Sequence, residues 1–388
     1  MKRGMTGEYR TWTSGGERIR AFVPFSLPPQ PDLIITGERQ RLLERATLAL
    51  GRLDSVTLLL PDPDLFLYAY VRREAVLSSQ IEGTQSSLSD LLLFELPEAP
   101  GAPFPEDVVE VSNYVRALEH GMERLEGGFP VSNRLVREIH AELLSRGRGS
   151  ERSPGEFRVS QNWIGGTRPG NAHFVPPPPE AVEDCMAGLE RFIHSQGSPS
   201  SVLLKAALTH VQFETIHPFL DGNGRVGRLL IALLLHDGGA LSQPLLYLSL
   251  YFKQHREEYY RLLDLVRTKG DWEAWLDFFL EGVESTGNGA VETARRLVAR
   301  FQDDETKVQN LGRGAPRALR VLSALRKRPI ITLGEVQEQT GMAFLTVGSG
   351  MRALEGLGIA KEFTGRRRNR VFSYEPYMTI LNEGTEPL

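Results

Sequence analysis

His217-Pro218-Phe219-Leu220-Asp221-Gly222-Asn223-Gly224-Arg225-Val226-Gly227-Arg228 places a proton acceptor, a hard carboxylate, a glycine-rich turn and two guanidiniums in one short stretch. Those are the groups needed to handle a nucleotide phosphate. Directly after it come Leu229, Leu230, Ile231, Leu233, Leu234 and Leu235, an apolar density that predicts a buried helix. The Gly-Asn-Gly turn then opens into a helix N-terminus, where backbone N–H groups and the positive end of the dipole face an incoming anion.

Each residue of the segment has an ordinary reading when taken alone. A lone histidine is more often a surface or satisfied core residue, and Asp221 beside glycines suits a turn or a helix cap. The combination points elsewhere. His217 precedes a proline, which biases its backbone away from helix and puts it on a loop, and an imidazole accepts a proton near neutral pH. Asp221 offers oxygen to Mg2+, while Asn223 and its flanking glycines offer N–H donors. Arg225 and Arg228 are three apart, share a helix face and have no adjacent carboxylate in their own turn, which predicts an anionic ligand.

Outward from this segment the chain reads as mainly helical. A Pro-rich arm (Pro24, Pro28, Pro29, Pro31) leads into a helical pattern at Leu42, Leu43, Ala46, Ala49, Leu50 and Leu53. One helix is predicted over 65–93, and others over 105–125, 133–144, 180–194, 201–215, 252–268 and 272–282. Between Pro154 and Pro179 the helical period disappears. There Asn162-Trp163-Ile164-Gly165-Gly166-Thr167 predicts a β-hairpin or extended loop, with Gly165 and Gly166 available for positive φ.

A break of composition over 284–289 separates a connecting helix over 294–309. Beyond it, Ala318, Val321, Leu322 and Leu325 form one helix face, Thr332-Leu333-Gly334-Glu335 matches a capping box, and Gly341 supplies a turn. Val347, Met351 and Leu354 mark another helix, and a basic hairpin over 363–374 carries Arg366, Arg367, Arg368 and Arg370 at its tip. That order of elements reads as a winged helix-turn-helix. From Arg313 to Arg370 there are 12 Lys/Arg against 4 Asp/Glu, while the whole chain is at −4. The C-terminal part is therefore electrostatically distinct, with Thr346, Ser349 and the wing arginines suited to phosphate contacts; DNA and protein are equal expectations for its partner.

The 388 residues suggest about two or three domains. We divide them into an N-terminal helical region (1–100), a core (101–285), a linker helix (286–312) and the winged helix (313–388). Ordinary hydrophobic and charged fractions, 41% and 24%, fit a globular protein. One cysteine, Cys185, leaves no internal disulfide pairing and fits a reducing compartment. Neither a signal-peptide core nor a membrane span is read, so the expectation is a cytoplasmic protein with no membrane partner.

The central segment resembles the signature of the Fic (Fic/Doc) family, His-x-Phe-x-(Asp/Glu)-Gly-Asn-Gly-Arg-x-x-Arg, at every fixed position. The resemblance extends over roughly residues 20–285, through the Asn162–Thr167 flap and Tyr259-Tyr260. It implies the Fic-fold helical bundle with a β-hairpin flap, and an enzyme that transfers AMP from ATP to a Ser, Thr or Tyr hydroxyl of target proteins and of itself. On that implication His217 is the base and Asp221 holds Mg2+. Gly222, Asn223, Gly224 and Arg225 cradle phosphates, with Val226 and Gly227 in the same stretch, and Arg228 meets the γ-phosphate. Tyr259 is placed at the nucleoside side, with packing in a helical core as the equal alternative. The flap near Gly165 would hold the target by strand addition.

Ser78-Ser79-Gln80-Ile81-Glu82-Gly83 resembles the family's inhibitory motif, (Ser/Thr)-x-x-x-Glu-(Gly/Asn), in the class that carries it N-terminally. Read as a helix, it puts Ser78 and Glu82 on one face. The resemblance implies that Glu82 competes for Arg228, and in some relatives the same glutamate supports AMP removal. Three alternatives are carried: a DNA-binding regulator with a sensor domain, a Fic-fold kinase, and another nucleotidyl transferase. A second copy of the chain is also an expected partner.

Overall fold

The computed structural model describes residues 3–14, 17–59, 63–96, 106–197, 199, 201–365 and 369–387. It is mainly helical, as the periodicity predicts. Strands β1 (Gly7–Ser14) and β2 (Glu17–Pro24) are followed by α1 (Glu38–Leu59), α2 (Pro63–Ile81), α3 (Leu88–Phe94), α4 (Glu106–Glu126) and α5 (Asn133–Leu143). Next come α6 (Pro179–Ile193), α7 (Val202–Ile216), α8 (Asn223–Asp237), α9 (Ser249–Gln254), α10 (Arg256–Lys269) and α11 (Trp272–Gln309). The chain ends with α12 (Ala315–Lys327), β3 (Ile330–Thr332), α13 (Leu333–Thr340), α14 (Phe344–Gly356), β4 (Ala360–Glu362), β5 (Val371–Tyr374) and α15 (Glu375–Asn382). Two compact units emerge, each built from two stretches: Met1–Asp54 with Asn113–Gly287, and Ser55–Ser112 with Asn288–Leu388.

The first unit is organised around α7. Every residue from Leu203 to Ile216 except Lys205 is buried, so this helix is enclosed on all sides. Helices α6, α8 and α10 and strand β2 pack on it. Buried leucines from Leu229 to Leu235 on α8 seal one side, each contributing about 1.5–3 kcal/mol by leaving water. A helix apolar all round must bury its polar groups in pairs, and the Trp275 indole N–H accordingly donates to the carbonyl of Ala207 at 3.0 Å.

Four expectations are corrected. Strands β1 and β2 pair antiparallel, with Ser14 opposite Glu17, where the sequence is read only as a Pro-rich arm. The helix over 65–93 is two helices. Gly83 at φ +100 ends α2, and Ser87 with Asp90 forms a capping box that starts α3. The helix over 252–268 breaks at His255 into α9 and α10. Conversely, α11 runs unbroken through 284–289, because Gly287 lets α1 approach so closely that a Cβ there would sit 3.2 Å from Ala49 Cβ. Packing overrides the low helix propensity of that stretch.

In the second unit, Ala318, Val321, Leu322 and Leu325 of α12 are buried with Val347, Met351 and Leu354 of α14. Thr332 caps α13 in a full capping box with Glu335, and Gly341 ends it at φ +65. Strands β3, β5 and β4 form an antiparallel sheet in that spatial order. Arg366, Arg367 and Arg368 at the wing tip lie outside the described residues. No helix among the described residues is long and apolar enough to cross a membrane.

Candidate functional site

His217 closes α7 as its C-cap at φ 50°, ψ 61°, left-handed rather than extended. Its own N–H still donates to Phe213 O at 2.8 Å. A non-glycine residue in this region costs on the order of 1–3 kcal/mol unless its surroundings hold it. Arg158 does so. Buried at 3% exposure, its guanidinium donates from Nε to His217 O at 2.9 Å and from Nη2 to Pro177 O at 2.6 Å, while its backbone N–H donates to Pro218 O at 2.9 Å. The Asn162 side chain adds a bond to Phe219 O at 2.9 Å, tying the flap stem to the same loop.

Asn223 was read as an N–H donor for a ligand, but its side chain is spent on the loop. Its Oδ1 accepts from Phe219 N and its Nδ2 donates to Phe219 O, both at 2.9 Å, and the residue is buried. Only its backbone remains for an anion. Gly222, left-handed at φ +76, is the N-cap of α8, so no cap side chain bonds to the N–H groups of the first turn formed by Asn223, Gly224 and Arg225. The expected opening of the Gly-Asn-Gly turn into a helix N-terminus is observed.

Asp221 is half-buried, and its Oδ1 accepts from Gly222 N at 2.6 Å. That oxygen also lies 3.6 Å from Nη2 of Arg225, so the expectation of an arginine pair with no carboxylate nearby is corrected. Arg225 and Arg228 are 2% and 4% exposed, an unusual depth for two cations one turn apart. Val226 is core. Gly227 serves packing: its carbonyl meets His210 Nδ1 at 3.0 Å, and a Cβ there would lie 2.5 Å from Glu214 Oε1.

Sequence reasoning missed two histidines that hold this arrangement. His140 on α5 stacks on Phe219 with centroids 3.7 Å apart. Gly155 N–H donates to its Nδ1 at 2.8 Å, so Nε2 carries the proton and donates to Asp221 O at 3.1 Å. Burial pushes its pKa down to about 4, which keeps it neutral. His210 on α7 likewise donates from Nδ1 to Gly227 O and accepts at Nε2 from the Tyr259 hydroxyl at 2.8 Å; burial lowers its pKa to about 3. Tyr259 is therefore a core residue, 1% exposed and stacked on Phe252. Its burial favours the packing reading of Tyr259.

The flap stem is a single antiparallel bridge, with Ile164 N to Phe174 O at 2.8 Å and Phe174 N to Ile164 O at 3.1 Å. Gly165 and Gly166 have φ of +68 and +69, the positive values read from the sequence. Trp163 is 40% exposed. Below the bridge, Phe22 N of β2 donates to Val175 O at 2.9 Å, so the N-terminal hairpin braces the flap. Ser78 and Glu82 belong to the second unit. Ser78 is buried on α2. Glu82 is exposed and follows the helix end, in a turn where its N–H donates to Ser79 O, so the two do not share a continuous helix face.

Residues 40–123 match the sequence profile of the Fic/DOC family N-terminal region, and residues 130–235 that of the Fic/DOC family. A protein adenylyltransferase Fic of Drosophila ananassae is 35% identical over 152 residues, and one of Drosophila yakuba is 34% identical over the same length. Those matches take in 39% of this chain but only 27% and 28% of the fly proteins, so the chain spans little more than a quarter of their length. Among solved structures, a Fic family protein from Desulfovibrio desulfuricans superposes with a TM-score of 0.58 at 19% identity, covering 89% of this chain and 98% of that one. A Fic domain-containing signalling protein from Bacteroides thetaiotaomicron gives 0.51 at 21% identity, covering 65% and 97%.

Proposed function

Residues 40–123 and 130–235 place the chain in the Fic/DOC family, and from that premise we propose that the chain is a protein adenylyltransferase using ATP. The observation that carries the reading is the juxtaposition on α7 and α8 of a half-exposed His217, a glycine-capped helix N-terminus and two buried guanidiniums. In-line phosphoryl chemistry asks chiefly for positioning and charge neutralisation, and this set supplies both.

His217 takes the proton from the target hydroxyl. Its Nδ1 is shielded from solvent, which leaves Nε2 as the atom for the task. The hydroxyl oxygen forms a bond to the α-phosphorus as the bond from that phosphorus to the bridging oxygen breaks, and pyrophosphate departs with the electron pair. Backbone N–H groups of the first turn of α8 and the Arg225 guanidinium receive the phosphates, and Arg228 the γ-phosphate. Asp221 fits an ion that arrives with a nucleotide: one half-buried carboxylate suits Mg2+, which takes its other ligands from phosphates and water. Such an ion would neutralise charge on the phosphates. Among the described residues there is no group of three or more His, Cys, Asp or Glu that could hold a metal without that help.

The exposed flap turn at Gly165 and Gly166 supports docking of an extended target segment by backbone pairing. Glu82 is proposed as an inhibitory residue and Ser78 as its helical anchor. For residues 313–388 a winged helix is proposed from the order of α12, α13, α14 and the β3-β5-β4 sheet. Exposed Phe344 and Leu345 beside exposed Thr346 suit a protein partner there as well as the basic balance suits DNA. The cell compartment proposed is the cytoplasm, from the single Cys185.

Incubation with α-labelled or γ-labelled ATP tests the reaction. Label entering protein from the α position alone, and lost in His217→Ala, is the expected result. Label from the γ position alone makes the protein a kinase and overturns the proposal.

A further inference from the structure

Between α2, α11, α12 and α15 of the second unit lies a cavity of about 370 Å³, within the range of roughly 300–1,000 Å³ for small-molecule sites. Its walls are mostly apolar, with Leu65, Leu297, Val298 and Tyr377 among them, and Arg326, Lys327 and Glu305 also line it. Arg326 donates from Nη1 to Glu305 Oε2 at 3.0 Å and from Nη2 to the carbonyl of Phe301. Its Nε, also buried, has no hydrogen-bond partner among the described residues. Lys327 forms no ion pair among them.

Two cations and one carboxylate leave one positive charge in excess in the lining of a mostly apolar chamber. A buried guanidinium N–H without an acceptor is destabilising, and an incoming acceptor removes that cost. Both cations sit in the last turn of α12, where they also complement the helix dipole. That role needs only exposed charge, however, and gives no reason for a buried Nε–H beside an apolar void.

We propose that this cavity binds a small amphiphilic monocarboxylate, its apolar body among Leu297, Val298 and Tyr377 and its carboxylate on Arg326 and Lys327. A single negative charge balances the excess, whereas a phosphate dianion would oversupply it and press against Glu305. The site involves none of the residues assigned to nucleotide chemistry.

The test uses the full chain with octanoate as probe and octanol as its uncharged counterpart, read by calorimetry and thermal melting. Octanoate is expected to bind one per chain and raise the melting temperature, with octanol about tenfold weaker for want of the charge-assisted bond. Leu297→Trp, which fills the chamber, should abolish binding of both. Arg326→Met should reduce octanoate to the level of octanol, and Lys327→Met, which breaks no ion pair, should weaken octanoate severalfold even if the arginine variant fails to fold. Equal affinity for the two probes, binding that survives Leu297→Trp, or no saturable octanoate binding would each overturn the proposal.

Discussion

Arg158 donates its Nε–H to the carbonyl of His217 at 2.9 Å while its own backbone N–H donates to the carbonyl of Pro218 at 2.9 Å. One buried side chain thus fixes the strained C-cap that presents the imidazole. It is a positioning residue, since it touches the loop and not the reacting atoms. In Arg158→Lys a single ammonium cannot reach the His217 and Pro177 carbonyls in the same fork geometry. Misplacement of a reacting group on the scale of 1 Å costs on the order of 100-fold, so the transfer rate should fall about 10- to 100-fold with ATP affinity nearly unchanged. Rate measurements beside calorimetric ATP binding check this; an equal loss in both would mean that Arg158 supports the pocket as a whole.

His140 couples the site to pH through stability. Its folded pKa is pushed down to about 4 by burial, below the ordinary 6.5. Above about pH 6.5 the ring is neutral in both states and its stacking on Phe219 contributes in full. As pH falls from 6.5 towards 4 the unfolded chain binds a proton that the native site refuses, so stability is lost, by about 3 kcal/mol in total. Below pH 4 the contribution levels off. His140→Gln cannot titrate, so its deficit relative to the parent should shrink between pH 7 and pH 4.5 in urea unfolding. A deficit constant with pH would show that the ring is not protonated differently in the two states.

The flap turn depends on Gly166. At φ +69, a Cβ there would clash with the carbonyl oxygen of Asn171, a backbone atom that cannot rotate away. The left-handed conformation alone costs a non-glycine residue about 1–2 kcal/mol. Gly166→Ala should therefore distort the turn that follows the Ile164–Phe174 bridge and lower modification of a target protein. Nucleotide binding on α8 should be untouched. Comparison of target labelling with ATP affinity separates the two, and equal loss of both would remove the flap from target docking.

What was legible in the chain was local. The turn chemistry of Gly222 to Gly224, the capping box of Thr332 and Glu335 and the positive φ of Gly165 and Gly166 depend on neighbours in sequence, and all are observed. Residues acting across the fold were invisible. Arg158 is 59 positions from His217, and His140 is 81 from Asp221. Tyr259 could be placed in the core only once His210 was known to hold its hydroxyl. The N-terminal hairpin is a different kind of miss, since the alternation around Gly15-Gly16 is a hairpin signal in its own right. Gly287 shows the opposite limit: a helix-breaking composition is retained inside α11 because it faces Ala49. Gly287→Leu should cost about 1–3 kcal/mol by overpacking, a shift that denaturant midpoints would reveal.

Glu82 provides a gain-of-function test. It sits in the turn after α2, with Gly83 at φ +100 behind it and Thr84 N donating back to Ser79 O at 3.3 Å, so the turn is held by its backbone. If the carboxylate competes with the γ-phosphate for Arg228, removing its charge is enough, and Glu82→Gln and Glu82→Gly should both raise AMP incorporation. A charge-assisted hydrogen bond is about twice as strong as a neutral one, so the rise expected is about tenfold or more. An increase in the glycine variant alone would point to the bulk of the side chain or the stiffness of the turn. No change in either variant, with labelling in the parent intact, would remove Glu82 from regulation while leaving the transfer chemistry of His217 standing.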